Sequence, residues 1–574
     1  MFESLSPTQR TIAFERTGKF VVRACPGSGK TYSVAARLAR CYQRWPHRSQ
    51  GIAAISFTNV AWHEIENYLL NDFGIRTPIA YPHFLGTIDS FIDRFIFLPF
   101  GHLIMGCTAR PSLVGPPHGS WRGRNFYEAQ FTNLTFDAQG TLVLRAKRAV
   151  DKNMWEEHRH DFLRAKKAII RAGFATQDDA EFLAMRLLDK YPLIAKAVVA
   201  RFPMIVVDEA QDTSEIQMRI IDRLLEHGLS EIALIGDPDQ AVFEWNDAKP
   251  ELFLEKHQRW EANSVVLNEN RRSSQQICDC TFRLSQLPER ATAIDPVVRD
   301  FGHKPVVTSY ANTGLHALID AFLKDCSEYG IVPSRATVAV LFRSKSLFYD
   351  IMGTPRPTAA NTAPWVDDPS DFTKDIALSR YLYENGDCRA AFARLHRVIA
   401  IASDGHQYCS QNFLKDYTER QGFVRCRQRV YRLLTGLPQT SCSVGEWVEK
   451  ANQVVSDLGE RFYLKIRPSK ANTDFDAIPG FTPDPEGDGP EEYRLGTIHS
   501  VKGETFEAVL LILKTRGVGK GYARLLQEGA TVSDSEELRI VYVGMTRPRR
   551  ILWIAVPNDE HRRIWEDRLF GLRA

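Results

Sequence analysis

Two groups of residues in this chain have the types and spacing to handle a polyphosphate. The first is the run Ala24, Cys25, Pro26, Gly27, Ser28, Gly29, Lys30, Thr31. Gly27 and Gly29 let the backbone approach a polyphosphate and turn its N–H groups inward. Lys30 can reach the terminal phosphates, and the Thr31 hydroxyl can ligate Mg2+. Ala24 stands where the usual pattern has its first glycine. The second group is Asp208 and Glu209, which end the apolar run Met204–Val207. A hard cation takes oxygen ligands, so Asp208 is a candidate Mg2+ ligand. Glu209 is placed to orient or deprotonate an attacking water. The chemistry implied is nucleoside triphosphate hydrolysis, with ATP and Mg2+ as the expected cofactors.

Three further groups fit that chemistry. Gln240 closes the string Gly236–Gln240, and its neutral amide can sense a γ-phosphate. Trp245 follows in a polar loop with Phe243. An exposed Trp there reads as a base-stacking platform, worth about 1–3 kcal/mol per base, or else as a cap on the core. Arginines cluster at Arg271 and Arg272, and again at Arg547, Arg549 and Arg550. Guanidinium groups match phosphate oxygens bidentately. One from each cluster, placed across a cleft from the glycine-rich loop, would stabilise charge developing on the γ-phosphate. Arg549 and Arg550 fit either that role or a solvated basic face.

These residues must be positioned by alternating strands and helices. An apolar run (Phe20, Val21, Val22) precedes the glycine-rich loop, and a helix is expected from Tyr32 to Gln43. The helix N-terminus adds a positive dipole end. A strand over 51–58 and a helix from about Asn59 continue the βαβ rhythm of a parallel sheet. The rhythm breaks near Phe95, where Pro, Gly and aromatics dominate to Asn125. A hairpin about Gln139 and Gly140 follows, then a charged helical stretch from Trp155 to Phe202. The sheet pattern resumes at Met204–Asp212 and Glu231–Gln240. A second α/β pattern begins near Val265 and includes a strand over Val338–Ser344. Residues 361–490 are mostly helical and end in a Pro/Gly/acidic linker, Ala477–Glu492. A last strand–loop–helix–strand stretch runs from Tyr493 to Val556. The expected division is 1–94, 201–264, 265–360 and 491–574 in two parallel-sheet domains, with insertions at 95–200 and 361–490. No internal repeat is expected.

At 574 residues the chain exceeds one ordinary core. Its 44% hydrophobic and 25% charged content is that of a globular protein. No apolar run approaches the ~18–20 residues that span a bilayer, and the N-terminus lacks a signal-peptide layout, so neither membrane nor leader is expected. Ten cysteines without a CxxC pair argue against zinc and for reduced thiols in the cytoplasm. A net charge of +3 neither demands nor excludes nucleic acid. The last expected strand lies about 18 residues before the end of the sequence, so neither an appended nuclease domain nor a long tail is expected.

The order of motifs resembles superfamily-1 DNA helicases of the UvrD/Rep/PcrA type. SPTQR from Ser6 resembles the Q-motif and the glycine-rich loop motif I. ISFTNVA, GTIDS, VVDEAQDT and GDPDQAVFEW resemble motifs Ia, Ib, II and III. LNENRRSS, YRLGTIHSVKGETFEAVLL and ELRIVYVGMTRPRR resemble motifs IV, V and VI. The resemblance implies an α/β fold of two RecA-like P-loop domains, each with an inserted, mainly helical subdomain. It implies ATP in the cleft between them and 3'→5' travel on single-stranded DNA. It places Gln9 on the adenine, Arg272 on the γ-phosphate and Arg547 as arginine finger. Lys502, Gly503 and Glu504 would line the nucleotide cleft. Phe57, Thr58, Asn59, Thr87, Phe243, Trp245, Thr497, His499 and Ser500 would face DNA.

Four departures accompany it. Val60 replaces a phosphate-binding lysine, and Asp89 puts an acid where a histidine is usual. Arg271 replaces the aromatic that stacks on adenine, where its guanidinium plane can substitute. The acid expected at Thr505 falls one place early, on Glu504. Basic residues at Arg145–Arg148 and Leu163–Arg171 read as a grip on duplex DNA or as a solvated helix face. His158 and His160 read as solvated, and Cys25 as oxidation-sensitive or merely small. The leading reading is an ATP-driven motor acting on single strands and single/double-strand junctions. The alternative is a DNA-sensing ATPase that regulates a partner nuclease. Compact UvrD-like components of anti-phage systems, such as the helicase-like protein of Gabija, are similar.

Overall fold

Apolar runs flanked by glycines become strands buried on both faces, as parallel sheets require. In chain order they are β1 (Lys19–Ala24), β2 (Ile52–Ser56), β3 (Phe84–Thr87), β4 (Met204–Val207), β5 (Glu231–Gly236) and β6 (Val265–Leu267). They form one six-stranded sheet in the order β6-β1-β5-β4-β2-β3, every pair parallel. A second, five-stranded parallel sheet uses β7 (Val306–Ser309), β8 (Val338–Phe342), β9 (Arg494–Thr497), β10 (Phe506–Ile512) and β11 (Pro548–Val556). Its order is β7-β11-β10-β8-β9. The fold is α/β, with helices on these two RecA-like sheets. The computed structural model describes residues 2–571 except 77, 115–118, 122–133, 145–151, 243–247, 312–313, 344–345, 353–363, 367–371, 405–407, 461, 479, 482–489 and 515–520.

The chain divides into two units. One comprises Met1–Phe95, Leu188–Thr354 and Pro485–Ala574 and holds both sheets. The other comprises Ile96–Leu187 and Pro355–Asp484, so the two stretches that interrupt the sheet pattern group together. The first sheet runs to Leu267, because Val265–Leu267 pairs with Val22–Ala24. The return to the sheet unit comes at Leu188, not near 201. The helix Pro192–Arg201 buries Ile194, Ala195 and Val198, and Arg201 O accepts from Gly51 N at 2.8 Å ahead of β2. An amphipathic pattern announces a helix but not the unit it packs in.

The second unit is mostly helical among its described residues. Helices Thr373–Glu384, Cys388–Asp404, Phe423–Gly436 and Val444–Asp457 enclose a core with Leu395, Leu433 and Trp447. The expected hairpin is present as Leu134–Phe136 against Leu142–Leu144, with Gly140 at φ 88° in the turn. The helix Lys152–Arg171 carries Lys166 inward. Its ammonium sits 2.8 Å from Asp179 Oδ2 and donates to Leu134 O at 2.5 Å, and both side chains are fully buried. Lys166 is therefore no part of a basic grip on DNA. Arg164, Lys167 and Arg171 remain exposed, whereas Arg145–Arg148 lie outside the described residues.

Removing one partner of a buried ion pair costs about 3–5 kcal/mol. Lys166→Met therefore lowers the thermal midpoint of the helical unit by several degrees, while Lys167→Met leaves it within a degree. Thermal denaturation followed by circular dichroism checks both.

Candidate functional site

The glycine-rich loop leaves the carboxyl end of β1 and enters the helix Lys30–Arg44. Gly27 and Gly29 take φ of 68° and 72°, which side-chain-bearing residues rarely adopt. A Cβ on Gly27 would lie 2.6 Å from Arg272 Cβ, so the loop and the arginine segment are in direct contact. Asn270 fastens them. Its Nδ2 donates to Pro26 O at 2.9 Å, and its Oδ1 accepts from Arg272 N and Ser273 N at 2.8 Å each. Gln9 Nε2 donates to Ser28 O at 3.3 Å, and Arg271 Nη2 donates to Gln9 Oε1 at 2.9 Å. Gln9 and Arg271 thus form one polar wall beside the loop. Ala24 ends β1, and Thr31 is buried in the first turn of the helix.

Lys30 Nζ lies 3.0 Å from Glu209 Oε1. Burial alone would lower the Lys30 pKa, but Glu209, Asp208 and Asp237 raise it above the usual lysine range. Burial would likewise raise Glu209, yet Lys30 and Lys502 hold it well below an ordinary glutamate. Glu209 is the base-type residue that stays ionised. Among the described residues it is also the one non-glycine at positive φ, 55°, a strained conformation that aims its side chain back at Lys30. Asp208 goes the other way: burial and then Glu209 push its pKa up. Its Oδ1 accepts from Glu209 N at 3.0 Å, while Oδ2 is buried with no hydrogen-bond partner. An orphaned, destabilised carboxylate oxygen is what a divalent cation satisfies, so Asp208 and the Thr31 hydroxyl fit Mg2+. Among the described residues no cluster of three or more His, Cys, Asp or Glu could hold a metal unaided.

Groups from beyond the second sheet's strands meet these residues. Arg547 follows the helix Glu536–Met545; its Nη2 donates to Gln240 Oε1 at 2.5 Å and its Nε to Val543 O at 2.9 Å. It is 1% exposed, and burial followed by repulsion from Arg272 lowers its pKa to about 9. Gln240 in turn donates to Asp237 Oδ2 at 2.5 Å. Arg272 Nη1 donates to Thr546 O at 3.1 Å. Lys502 Nζ pairs with Asp212 Oδ2 at 2.7 Å. Gln211 ties both bridges to the base. Its Nε2 donates to Glu209 Oε2 at 2.6 Å and to Asp212 Oδ2 at 3.0 Å, and its Oε1 accepts from Asp237 N at 3.0 Å. Gln211, Asp212, Asp237 and Asn270 carry no role in the sequence reading, although all four lie inside the motifs quoted there. Arg549 is held by Asp295 at 3.0 Å and Glu507 at 3.2 Å, and Arg550 by Glu507 at 3.2 Å, so neither is a free basic face. Gly503 has φ 95°, and exposed Glu504 donates its backbone N–H to Val501 O at 3.0 Å.

The residues expected to face nucleic acid cluster at carboxyl ends of strands. Phe57 is half-buried just after β2, and Thr58 Oγ1 caps the next helix by accepting from Ala61 N at 3.2 Å. Exposed Asn59 accepts from Trp62 Nε1 at 3.0 Å. Thr87 ends β3 and accepts from Ser90 N at 3.2 Å; Thr497 ends β9 and accepts from Ser500 N at 3.3 Å. Leu85–Ser90 and Leu495–Ser500 differ only at Asp89 and His499. Their strands pair in matching register, Ser56 opposite Thr87 and Phe342 opposite Thr497. A short repeat is therefore present, one copy at the edge of each sheet, too brief to stand out in 574 residues. Asp89 accepts from Gln217 Nε2 at 3.2 Å. Phe243 and Trp245 lie outside the described residues.

His499 is half-buried, and burial, then Arg343, lowers its pKa from 6.5 to about 4. The unfolded chain thus binds this proton more readily than the fold does. Stability from neutral His499 is complete above pH 6.5 and is lost as pH falls from 6.5 towards 4. His499→Gln should flatten the pH dependence of denaturant midpoints in that window and leave it unchanged above about pH 7.

The UvrD/REP helicase N-terminal domain family matches residues 5–104 and 122–261. A probable DNA helicase II homolog of Mycoplasma capricolum subsp. capricolum is 23% identical over 278 residues, 44% of this chain and 37% of that protein. The ATP-dependent DNA helicase PcrA of Staphylococcus aureus is 24% identical over 289 residues, 47% of this chain and 38% of its own. The exonuclease/helicase subunit RexA of Streptococcus pneumoniae serotype 4 is 32% identical over 108 residues, 18% of this chain and 9% of that one. The chain thus spans well under half the length of these curated relatives. Among the described residues no helix is long and apolar enough to cross a membrane. With its two parallel sheets and the motif residues gathered at their ends, the chain is similar to UvrD/PcrA-type DNA helicases, and residues 5–104 and 122–261 match the UvrD/REP helicase N-terminal domain.

Proposed function

We propose that this chain is a cytoplasmic motor that hydrolyses ATP between its two parallel sheets. It would move 3'→5' along single-stranded DNA and open duplexes at single/double-strand junctions. The observation that supports this best is the paired bridge across the cleft: Arg547 to Gln240 at 2.5 Å and Lys502 to Asp212 at 2.7 Å, both joined to Glu209 through Gln211 and Asp237. Groups that would sense and attack a γ-phosphate are thereby wired to groups of the second sheet. The polarity is an inference from the family resemblance.

In this mechanism the backbone of Pro26–Thr31 and the Lys30 ammonium hold the phosphates of ATP. Gln9 and Arg271 face the base, with Gly503 and Glu504 at the far side of the nucleotide. Thr31 and Asp208 would hold Mg2+, which when bound neutralises phosphate charge. Glu209 accepts the proton of the attacking water, and Arg272 and Arg547 stabilise the charge that develops on the γ-phosphate. Loss of that phosphate changes what Gln240 and Arg547 hold, which frees the second sheet to shift. Phe57, Thr58, Asn59, Thr87, Thr497, His499 and Ser500 would supply the track. Strand ends are where parallel sheets bind ligands, and helix starts offer unpaired N–H groups to phosphates.

Steady-state ATPase assays with and without a short single-stranded DNA test the reading. Lys30→Ala abolishes turnover and retains DNA binding. Glu209→Gln lowers kcat by about 10²–10⁴ with nucleotide binding kept. Arg547→Ala costs about 10³ or more. Unchanged turnover in Lys30→Ala removes the nucleotide assignment, and a wild-type rate indifferent to DNA removes the motor.

A relative named as an exonuclease/helicase component favours one second reading, in which the chain regulates a partner nuclease. There the purified chain would hydrolyse ATP poorly alone and gain activity only with a co-purifying nuclease.

A further inference from the structure

The helical unit carries a surface that the nucleotide cleft does not use. Helix Phe423–Gly436 contains Arg425, Arg427, Arg429 and Arg432 and no acidic residue. Arg429 is taken by Glu460, with bonds of 2.7 and 2.6 Å. The neighbouring Asp404 is taken by Arg420 and Glu419 by Lys415. No described carboxylate pairs with Arg425, Arg427 or Arg432, and all three are exposed. Large apolar side chains are exposed on the side of Arg427, where Phe423 is 59%, Val424 65% and Tyr431 53% exposed, while Arg425 and Arg432, seven residues apart, form a second stripe on the adjoining side of the exposed surface.

The groups are ordered, not scattered. Arg427 lies over the Phe423 ring, 4.5 Å from its centroid. The Tyr431 ring is 6.4 Å from Phe392 on helix Cys388–Asp404. One turn along that helix, His396 meets Thr418 Oγ1 at 3.3 Å. Its pKa is lowered by burial and then by Arg397 and Arg427. Phe423, Arg427 and Tyr431 follow the i, i+4, i+8 spacing of one helix stripe, so the two rings stand about 12 Å apart with a guanidinium between. An exposed aromatic pair is poorly used against the sugar–phosphate rails of a duplex. It suits unpaired bases, which stack on rings while arginines take the phosphates.

We propose that the exposed face of helix Phe423–Gly436 is a second binding surface for single-stranded nucleic acid, with Phe423 and Tyr431 as stacking platforms and Arg425, Arg427 and Arg432 as phosphate contacts. It rests on the reading that this chain handles nucleic acid, and it is separate from the strand-end track of the sheet unit. Such a surface would hold a strand while the sheets move along it, or hold the strand displaced from a junction.

Calorimetric titration of the full chain with an oligo-dT of about ten nucleotides, within the usual span of one such site, tests it. Wild type takes up two equivalents. The variants Phe423→Ala/Tyr431→Ala and Arg425→Gln/Arg427→Gln/Arg432→Gln, confirmed folded by wild-type melting temperatures, take up one. The salt slope of the lost site is steeper by about 0.7 per phosphate contact, roughly 2 in all. One equivalent on wild type and variants alike overturns the proposal. One equivalent on wild type and none on the variants makes this face the sole strand site and overturns the strand-end track instead. A ten-base-pair duplex that displaces the second equivalent as well as the oligomer does overturns the single-strand form.

Discussion

The structure turns on a concentration of charge that is largely withdrawn from water. Asp208, Glu209, Asp212, Asp237 and Asp239 are buried or nearly so, around Lys30, Lys502 and Arg547. Charges buried at this spacing interact far more strongly than in water, and each costs several kcal/mol to desolvate unless it is matched. The matching is divided between the sheets: Lys30 answers Glu209 from within the first, while Lys502 and Arg547 come from the second. The cleft therefore cannot be built from either sheet alone, and whatever separates the sheets exposes unmatched carboxylates.

The backbone makes that arrangement available. β1, β5 and β4 lie side by side and all point the same way, so the loop after β1, Asp237 after β5 and Asp208 after β4 emerge at one edge. Parallel sheets bind ligands at this edge, where the chain turns to opposite faces. Gln211 then converts proximity into connection. One side-chain amide reaches Glu209, Asp212 and the backbone of Asp237, and the close fit leaves Gly236 no room for a Cβ, which would come 2.5 Å from Gln211 Oε1.

Much of this was legible in the residues because the signals are local. An apolar run, two glycines and a Lys-Thr pair encode a strand, a left-handed turn and a helix start within a short stretch of chain. Asp208 and Glu209 were legible for the same reason. What could not be read is what distant segments do to one another. Lys502 and Asp212 are 290 positions apart, and Asn270 reaches Pro26 across 244. Nothing in either neighbourhood names its partner. The grouping of 96–187 with 355–484 is equally non-local, carried in part by Gly119–Trp121 pairing with Tyr408–Ser410. Lys166 shows the limit from the other side: a basic helix stripe reads as solvated until Asp179 is found beneath it.

The contact between Gly27 and Arg272 has an evolutionary consequence. The loop's second glycine is excluded from change by its φ, and its first by φ and by the 2.6 Å clearance to Arg272 Cβ. A descendant that enlarged position 27 would have to withdraw the 270–273 segment. That same segment holds Thr546 O through Arg272 and Pro548 O through Ser273 at 2.7 Å. Drift in the loop is thereby tethered to the far end of the chain, and the two can diverge only together.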